Sequence, residues 1–162
     1  MRTVIVVVAV LAIGVLTAVP TAGQTFLTAV IDGFQPVPPT FSPGTGFGCV
    51  VLNPDGTISY NIAFSGLLSA EVAAHFHGPA PVGLNAGVQV GLPLGSPKFG
   101  GAGPLSAAQQ ADLIAGLWYI NIHSALFPGG EIRGQVFISP TPCNVVPVEE
   151  TSWGKIKALY AE

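Results

Sequence analysis

All three histidines of this chain lie in two short motifs, AHFHGPA at residues 74–80 and NIHS at residues 121–124. Both motifs are predicted to lie at the ends of β-strands, and a strand places residues i and i+2 on the same face. His75 and His77 should therefore project from one face of their strand, with His123 on the second strand. If the two strands are neighbours, the three imidazole rings meet, and such a cluster is a candidate site for copper or zinc.

Four further polar residues share this predicted face. In the strands predicted at residues 70–78, 117–124 and 131–139, apolar and polar residues alternate, so that apolar side chains lie on one face and polar side chains on the other. The turn sequence FPGG joins the last two strands into a hairpin, which should bring their polar residues close together. The face that is predicted to lie away from the core therefore adds to the three histidines Glu71, Asn121, Glu131 and Arg133.

Three interpretations of this polar face remain open. In the first, the three histidines bind copper or zinc with one coordination position open, and Glu131 or Asn121 orients a ring by hydrogen bonding. In the second, the polar residues form a buried hydrogen-bond network, in which Arg133 pairs with Glu71 or Glu131. In the third, the face recognises an extracellular protein or a glycan.

The composition argues against several other functions. The formal net charge is -3 at pH 7, with 5 lysines and arginines in 162 residues, so the chain has no basic patch for nucleic acid. A Gly-x-Ser-x-Gly nucleophile motif is absent, and Ser124 points away from His123 because the two are adjacent in a strand. The strand carboxylates Glu71 and Glu131 form no evident pair for glycoside hydrolysis. We therefore expect a non-enzymatic module.

Residues 1–23 have the pattern of a secretory signal peptide. Arg2 precedes an apolar run at residues 4–19, and small residues follow as far as Gly23. The run of about 16 residues is shorter than the roughly 20 of a membrane-spanning helix. An uncleaved N-terminal anchor is the alternative. We expect a protein that is secreted, periplasmic or at the cell surface, without a stable membrane span after cleavage.

The rest of the chain should form one domain at residues 24–143, followed by a linker and a short amphipathic tail at residues 144–162. Cys49 and Cys143 lie near the two ends of this domain. In an exported chain, such a pair predicts a disulfide, which for a loop of this length is worth about 4 kcal/mol. Two free buried thiols are the alternative.

The order of elements predicts a mainly β fold. Strands at residues 48–53 and 57–65 flank the turn sequence NPDG, and the second strand alternates apolar and polar residues. The glycine-rich stretch 95–103 reads as a flexible connection. One short helix, over about residues 106–115, begins with a Ser-x-x-Gln capping box. Seven or so short strands with regular turns favour an immunoglobulin-like antiparallel β-sandwich or barrel.

Four sequence blocks resemble the CHRD domain in their order and spacing: HFHGPA at 75–80, AGLWY at 115–119, NIHS at 121–124 and FPGGEIRGQ at 127–135. This family takes its name from chordin, an extracellular developmental regulator, and also occurs in exported bacterial proteins, of which this chain looks like a single-domain member. The resemblance covers roughly residues 26–139. It implies an extracellular module with an immunoglobulin-like β architecture and no established catalytic activity.

A weaker likeness is to copper/zinc superoxide dismutase, which is also a β-sandwich and carries a His-x-His strand. The copper of that enzyme needs a fourth histidine, and its zinc needs further histidine and aspartate ligands. This chain has 3 histidines in total. The likeness is therefore compatible with a metal site and argues against dismutase activity.

Overall fold

Antiparallel strands dominate the part of the chain that the computed structural model describes, residues 23–145. The elements, in chain order, are β1 (Thr25–Asp32), β2 (Thr45–Leu52), β3 (Ile58–Ser65), β4 (Glu71–His77), β5 (Val88–Leu92), β6 (Lys98–Ala102), α1 (Ala107–Ile114), β7 (Tyr119–Ser124), β8 (Ile132–Gln135) and β9 (Phe137–Ile138). This architecture confirms the predicted antiparallel β-sandwich or barrel with one short helix. The predicted signal peptide up to residue 22 and the tail from residue 146 lie outside the described residues.

The strands form one sheet that makes the two histidine strands neighbours. Their order is β5-β4-β7-β8-β1-β2-β3-β6, with β9 paired to β1, and every pairing is antiparallel. β4 and β7 lie side by side although β5, β6 and α1 separate them in the chain. Within residues 23–145, no helix is long and apolar enough to cross a membrane.

One face of the sheet packs into an apolar core centred on aromatic residues. Phe76 is fully buried, and its ring lies 5.7 Å from Tyr60 and 6.1 Å from Trp118, measured between centroids. The predicted alternation of β3 is confirmed, because Ile58, Tyr60 and Ile62 are all buried in this core. Each such side chain contributes roughly 1.5–3 kcal/mol by leaving water.

The helix α1 begins and ends where local sequence signals place it. The Ser106 side chain accepts a hydrogen bond from the backbone N–H of Gln109, and the Gln109 side chain accepts one from Ser106, which completes the capping box. Gly116 follows the helix with a φ of +74°, a conformation that glycine adopts without strain. Leu113 is the helix residue that is buried in the core.

The glycine-rich stretch 95–103 was expected to be flexible, and this expectation is wrong. Lys98–Ala102 is a strand, β6, that pairs with β3 along its whole length. Gly100 has no side chain where the Tyr60 hydroxyl approaches, since a Cβ there would lie 2.5 Å from it. The glycines therefore allow close packing against β3 instead of loosening the chain.

A disulfide between Cys49 and Cys143 ties the end of the described chain to β2. The S–S distance is 2.01 Å and the two Cα atoms are 5.8 Å apart, across a sequence separation of 94 residues. The predicted bridge is thus present, and residues 23–145 contain no free cysteine. Such a closed loop stabilises the fold chiefly by restricting the unfolded chain.

Candidate metal centre

The pairing of β4 with β7 brings the three histidines onto one stretch of the sheet. His75 lies opposite Asn121, His77 opposite Tyr119, and His123 opposite Ala73, two residues from His75. All of these residues have the same parity, so their side chains share a face. The three histidines therefore lie on one face of the sheet, as the sequence predicts.

The three imidazole rings lie close together on this face of the sheet. Nδ1 of His75 lies 3.1 Å from Nε2 of His123, and one ring nitrogen from each histidine can be chosen such that all lie within 4.8 Å of one another. Zinc–imidazole bonds are about 2.0–2.1 Å long, so the nitrogens that bind one ion lie at most about 4 Å apart. The nitrogens of the cluster lie within 4.8 Å of one another, slightly beyond this separation, so binding one ion would require the rings to move closer together.

Backbone carbonyls fix the orientation of two of the rings. Nδ1 of His77 lies 3.0 Å from the carbonyl oxygen of Ala86, and Nδ1 of His123 lies 2.8 Å from that of Pro128. A carbonyl can only accept, so both Nδ1 atoms carry a proton, and each Nε2 keeps its lone pair. Nε2 of His77 is buried and has no hydrogen-bond partner among residues 23–145. Hydrogen bonding of one ring nitrogen to a carbonyl is typical of histidines that bind metal through the other.

His75 is the more exposed and more adaptable member of the cluster. Because Nε2 of His123 holds a lone pair, the 3.1 Å contact requires His75 to donate from Nδ1. For Nδ1 of His75 to bind an ion, its proton would have to lie on Nε2 of the same ring instead. Gly91 lies across from His75 on β5, and a Cβ at this glycine would meet nothing within 4 Å. The cluster is therefore reachable from the side of His75.

The electrostatic surroundings favour neutral rings. Burial lowers the pKa of His75, and the adjacent His123 lowers this pKa further. Burial also lowers the pKa of His77, opposed in part by the hydrogen bond to Ala86; His123, His75 and Arg133 add to the lowering. Neutral imidazole is the form that binds a transition metal. Burial therefore favours the neutral form of His75 and His77 in the folded chain.

Two residues beside the cluster support it. The Asn121 amide donates to the carbonyl of Gly129 at 3.1 Å, in the turn that also holds His123. The Tyr119 ring stacks on His77 at 5.0 Å between centroids and 5° between planes, and its hydroxyl accepts from the backbone N–H of Ala86 at 3.0 Å. The sequence predicts Asn121 as part of this face but gives no signal for the stacking of Tyr119, although Tyr119 has the same parity as Asn121 and His123.

Glu71 does not join the histidines. Its carboxylate accepts hydrogen bonds from the ammonium of Lys98 and, at 2.7 Å, from the backbone N–H of Gly95. A register shift between Glu71 and Ala73 in the pairing with β7 interrupts the alternation at the start of β4. Val72, which was predicted to face the core, is consequently exposed.

Glu131 forms a polar cluster of its own. Its Oε1 accepts from the Ser42 hydroxyl and from the backbone N–H of Leu68, each at 2.6 Å. Burial raises the pKa of Glu131, but hydrogen bonds from Ser124, Ser42, Leu68 and Ser69 outweigh this effect and hold the pKa below its ordinary value. Glu131 is therefore a buried anion that braces two loops against β7.

The predicted pairing of Arg133 with Glu71 or Glu131 is wrong. Arg133 donates to Gln135 Oε1 at 3.0 Å and to Asn85 Oδ1 at 3.3 Å, and its guanidinium carbon lies 3.6 Å from the centre of the Tyr119 ring. Among residues 23–145, it forms no ion pair. The segments before β5 and before β8 cover this face of the sheet, so Arg133 is only 2% exposed, although the face was predicted to lie away from the core.

The fold and the site together define a disulfide-linked, all-antiparallel β module with a cluster of three histidines on its sheet. A family model for the CHRD domain matches residues 27–136. The chain belongs to the CHRD domain family. Searches among curated proteins and among solved structures find no match.

Proposed function

We propose that this chain is a secreted, non-enzymatic CHRD module that binds copper or zinc through His75, His77 and His123. The observation that carries the proposal is the grouping of one ring nitrogen from each histidine within 4.8 Å, with Nδ1 of His77 and of His123 engaged by backbone carbonyls so that Nε2 is the ligand atom of both rings. With three protein ligands, the ion keeps one coordination position for water or another ligand.

The alternative of a purely structural network accounts less well for the contacts. In a structural network every buried polar atom is expected to have a partner, because leaving one unsatisfied costs about 1–3 kcal/mol. Among the described residues, four buried side-chain atoms have no partner: Nε2 of His77, Nε1 of Trp118, Oδ1 of Asn121 and Oε2 of Glu131. Nε2 of His77 differs from the other three in belonging to a ring that lies beside two further imidazoles, so a bound ion would give it a partner, which supports the metal function.

Secretion is supported by chemistry in two parts of the chain. The Cys49–Cys143 disulfide is typical of proteins that fold in an oxidising compartment. The apolar run that follows Arg2 has the composition of a signal peptide. Expression with all 162 residues should release a chain that begins between residues 18 and 24, measured by mass spectrometry of the exported protein. A membrane-bound protein that retains Met1 would contradict secretion.

The metal function is tested by titration of untagged protein with Zn²⁺ and Cu²⁺. Wild-type protein should bind one equivalent at micromolar concentration, and His77→Ala should lose this binding. Asn61→Ala is a matched control, because Asn61 is a polar residue on β3, a strand that does not carry the cluster. This control should bind like wild type. Absence of binding to wild type, or equal binding by His77→Ala, would contradict the proposal.

A further inference from the structure

The histidine cluster has no negative charge among its ligands. Among residues 23–145, the group able to hold a metal consists of three imidazoles and includes no carboxylate or thiolate. The strand carboxylates that sequence analysis placed nearby are engaged elsewhere, Glu71 with Lys98 and Glu131 with Ser42 and Leu68. Any positive charge on a bound ion therefore stays uncompensated by the protein ligands.

A buried cation lies close to this cluster. The Arg133 guanidinium packs against one ring, Tyr119, which in turn stacks on His77. The guanidinium carbon lies 3.6 Å from the centre of the Tyr119 ring, and that centre lies 5.0 Å from the centre of the His77 ring. Arg133 is 2% exposed, and its polar partners are the neutral side chains Asn85 and Gln135. Water and counterions therefore screen its charge weakly.

We propose that the cluster binds monovalent copper, Cu⁺, in preference to Cu²⁺ and Zn²⁺. This inference rests on the proposed metal function and names the ion that the site takes. Arg133 repels a divalent ion twice as strongly as a monovalent ion at the same position. At an effective dielectric constant of about 20, one extra unit charge at this range changes an affinity by roughly tenfold or more.

The ligand number supports the same choice. Cu⁺ is stable with three neutral nitrogen ligands, whereas Zn²⁺ in proteins is almost always four-coordinate and must recruit a further ligand. His77 and His123 supply two fixed nitrogens, and His75 supplies the third from the accessible side. The cluster therefore matches the coordination that Cu⁺ accepts without adding an anion to the site.

The first test ranks the affinities of the wild-type protein at pH 7. Cu⁺ is measured anaerobically by competition with bicinchoninate in the presence of ascorbate, Cu²⁺ by competition with glycine, and Zn²⁺ by competition with a chromogenic chelator. Cu⁺ should bind more than tenfold tighter than either divalent ion. Tighter binding of Cu²⁺ or Zn²⁺ would overturn the choice of Cu⁺ and leave the metal function standing. Failure of all three ions to bind would overturn both.

The second test removes the charge of Arg133. In Arg133→Gln, the ratio of Cu⁺ affinity to Cu²⁺ affinity should fall about tenfold, equivalent to 59 mV in the potential of a one-electron couple. Arg133→Lys restores the positive charge and should recover most of the ratio. Circular dichroism confirms that each variant is folded. If folded Arg133→Gln keeps the wild-type ratio of Cu⁺ to Cu²⁺ affinity, the role of Arg133 is overturned. If the variant fails to fold, the ranking of affinities in the wild-type protein still tests the proposal.

Discussion

Two polar clusters on the same sheet differ in whether their polar atoms have hydrogen-bond partners. Lys98 is fully buried, and its ammonium donates to Glu71 and to the carbonyls of Pro93 and Gly95, while the charge lies 5.1 Å from the centre of the Phe64 ring. The histidine cluster, formed by His75, His77 and His123, is also largely buried, but Nε2 of His77 is left without a partner.

This difference separates a polar group that holds the fold from one that is available to a ligand. The donors of Lys98 are all used, since an ammonium has three N–H groups and three acceptors surround it. In the histidine cluster, backbone carbonyls accept from Nδ1 of His77 and of His123, and one ring nitrogen from each of the three histidines lies within 4.8 Å of the others. We therefore interpret Lys98 as structural and the histidine cluster as the group that binds a ligand.

The largest expected effect is on the free energy of unfolding when Lys98 is replaced. Lys98→Met removes the cation and leaves the Glu71 carboxylate without its partner, which should lower the free energy of unfolding by about 3–5 kcal/mol. Urea unfolding measures this loss, and metal titration of the folded variant should still give one equivalent.

The double variant Lys98→Met/Glu71→Leu is the control for this loss. It removes both charges, so it should recover much of the stability that the single variant loses. A single-variant loss below about 1 kcal/mol, as for a solvent-exposed pair, would contradict a structural role for Lys98.

The next effect concerns the turn that supports the histidine cluster. Gly130 has a φ of +121°, and a Cβ at this position would overlap the side-chain amide of Asn121. Gly130→Ala should therefore displace the carbonyls of Pro128 and Gly129 and weaken metal binding by about 10- to 100-fold, as measured by competition titration.

Gly129→Ala is the matched control for the turn, because a Cβ at Gly129 would meet nothing within 4 Å. It should bind metal like wild type. Equal affinities for both alanine variants would show that the turn does not position His123.

A smaller effect is expected at Glu131, a buried carboxylate whose Oε1 accepts hydrogen bonds from Ser42 and Leu68. Because hydrogen bonds hold its pKa below the ordinary value, its contribution to stability is complete above the pKa of the unfolded chain and is lost as the pH falls through the folded pKa. Glu131→Gln should therefore cost about 1–3 kcal/mol at pH 7. This cost should shrink towards zero as the pH falls below about 4.3, the ordinary glutamate pKa.

Urea unfolding of wild type and Glu131→Gln, at pH 7 and in steps down to pH 3, checks this dependence. A stability difference that stays constant over the whole range would mean that the charge of Glu131 contributes nothing. Metal affinity at pH 7 serves as the control, since Glu131 is not among the proposed ligands, and it should be unchanged.

Local patterns were sufficient to predict much of the fold and the face of the candidate site. The turn NPDG and the alternation from Ile58 to Phe64 specify the β2–β3 hairpin, and the capping box specifies the start of α1. Strand parity alone placed His75 and His77 together, because their separation of two residues is a local property. Each of these features depends on residues that are close in the chain.

Features that depend on distant pairing could not be read from the sequence. The adjacency of β4 and β7 is a property of the whole sheet. The partners of the two fixed histidines are main-chain carbonyls of Ala86 and Pro128, whose positions depend on loop conformation and not on residue type. Similarly, the burial of Lys98 depends on how β6 docks beside β3, and the glycines around it suggested a loop instead.

The central claim is that the three histidines form one metal site, and anomalous X-ray diffraction tests it most directly. Crystals of the untagged protein, grown with Cu⁺ under anaerobic conditions or with Zn²⁺, would be measured on both sides of the absorption edge of the metal. The account predicts one strong anomalous peak at about 2.0–2.1 Å from a ring nitrogen of each of His75, His77 and His123. Absence of a peak at this position, or a peak bound to a single ring, would contradict it.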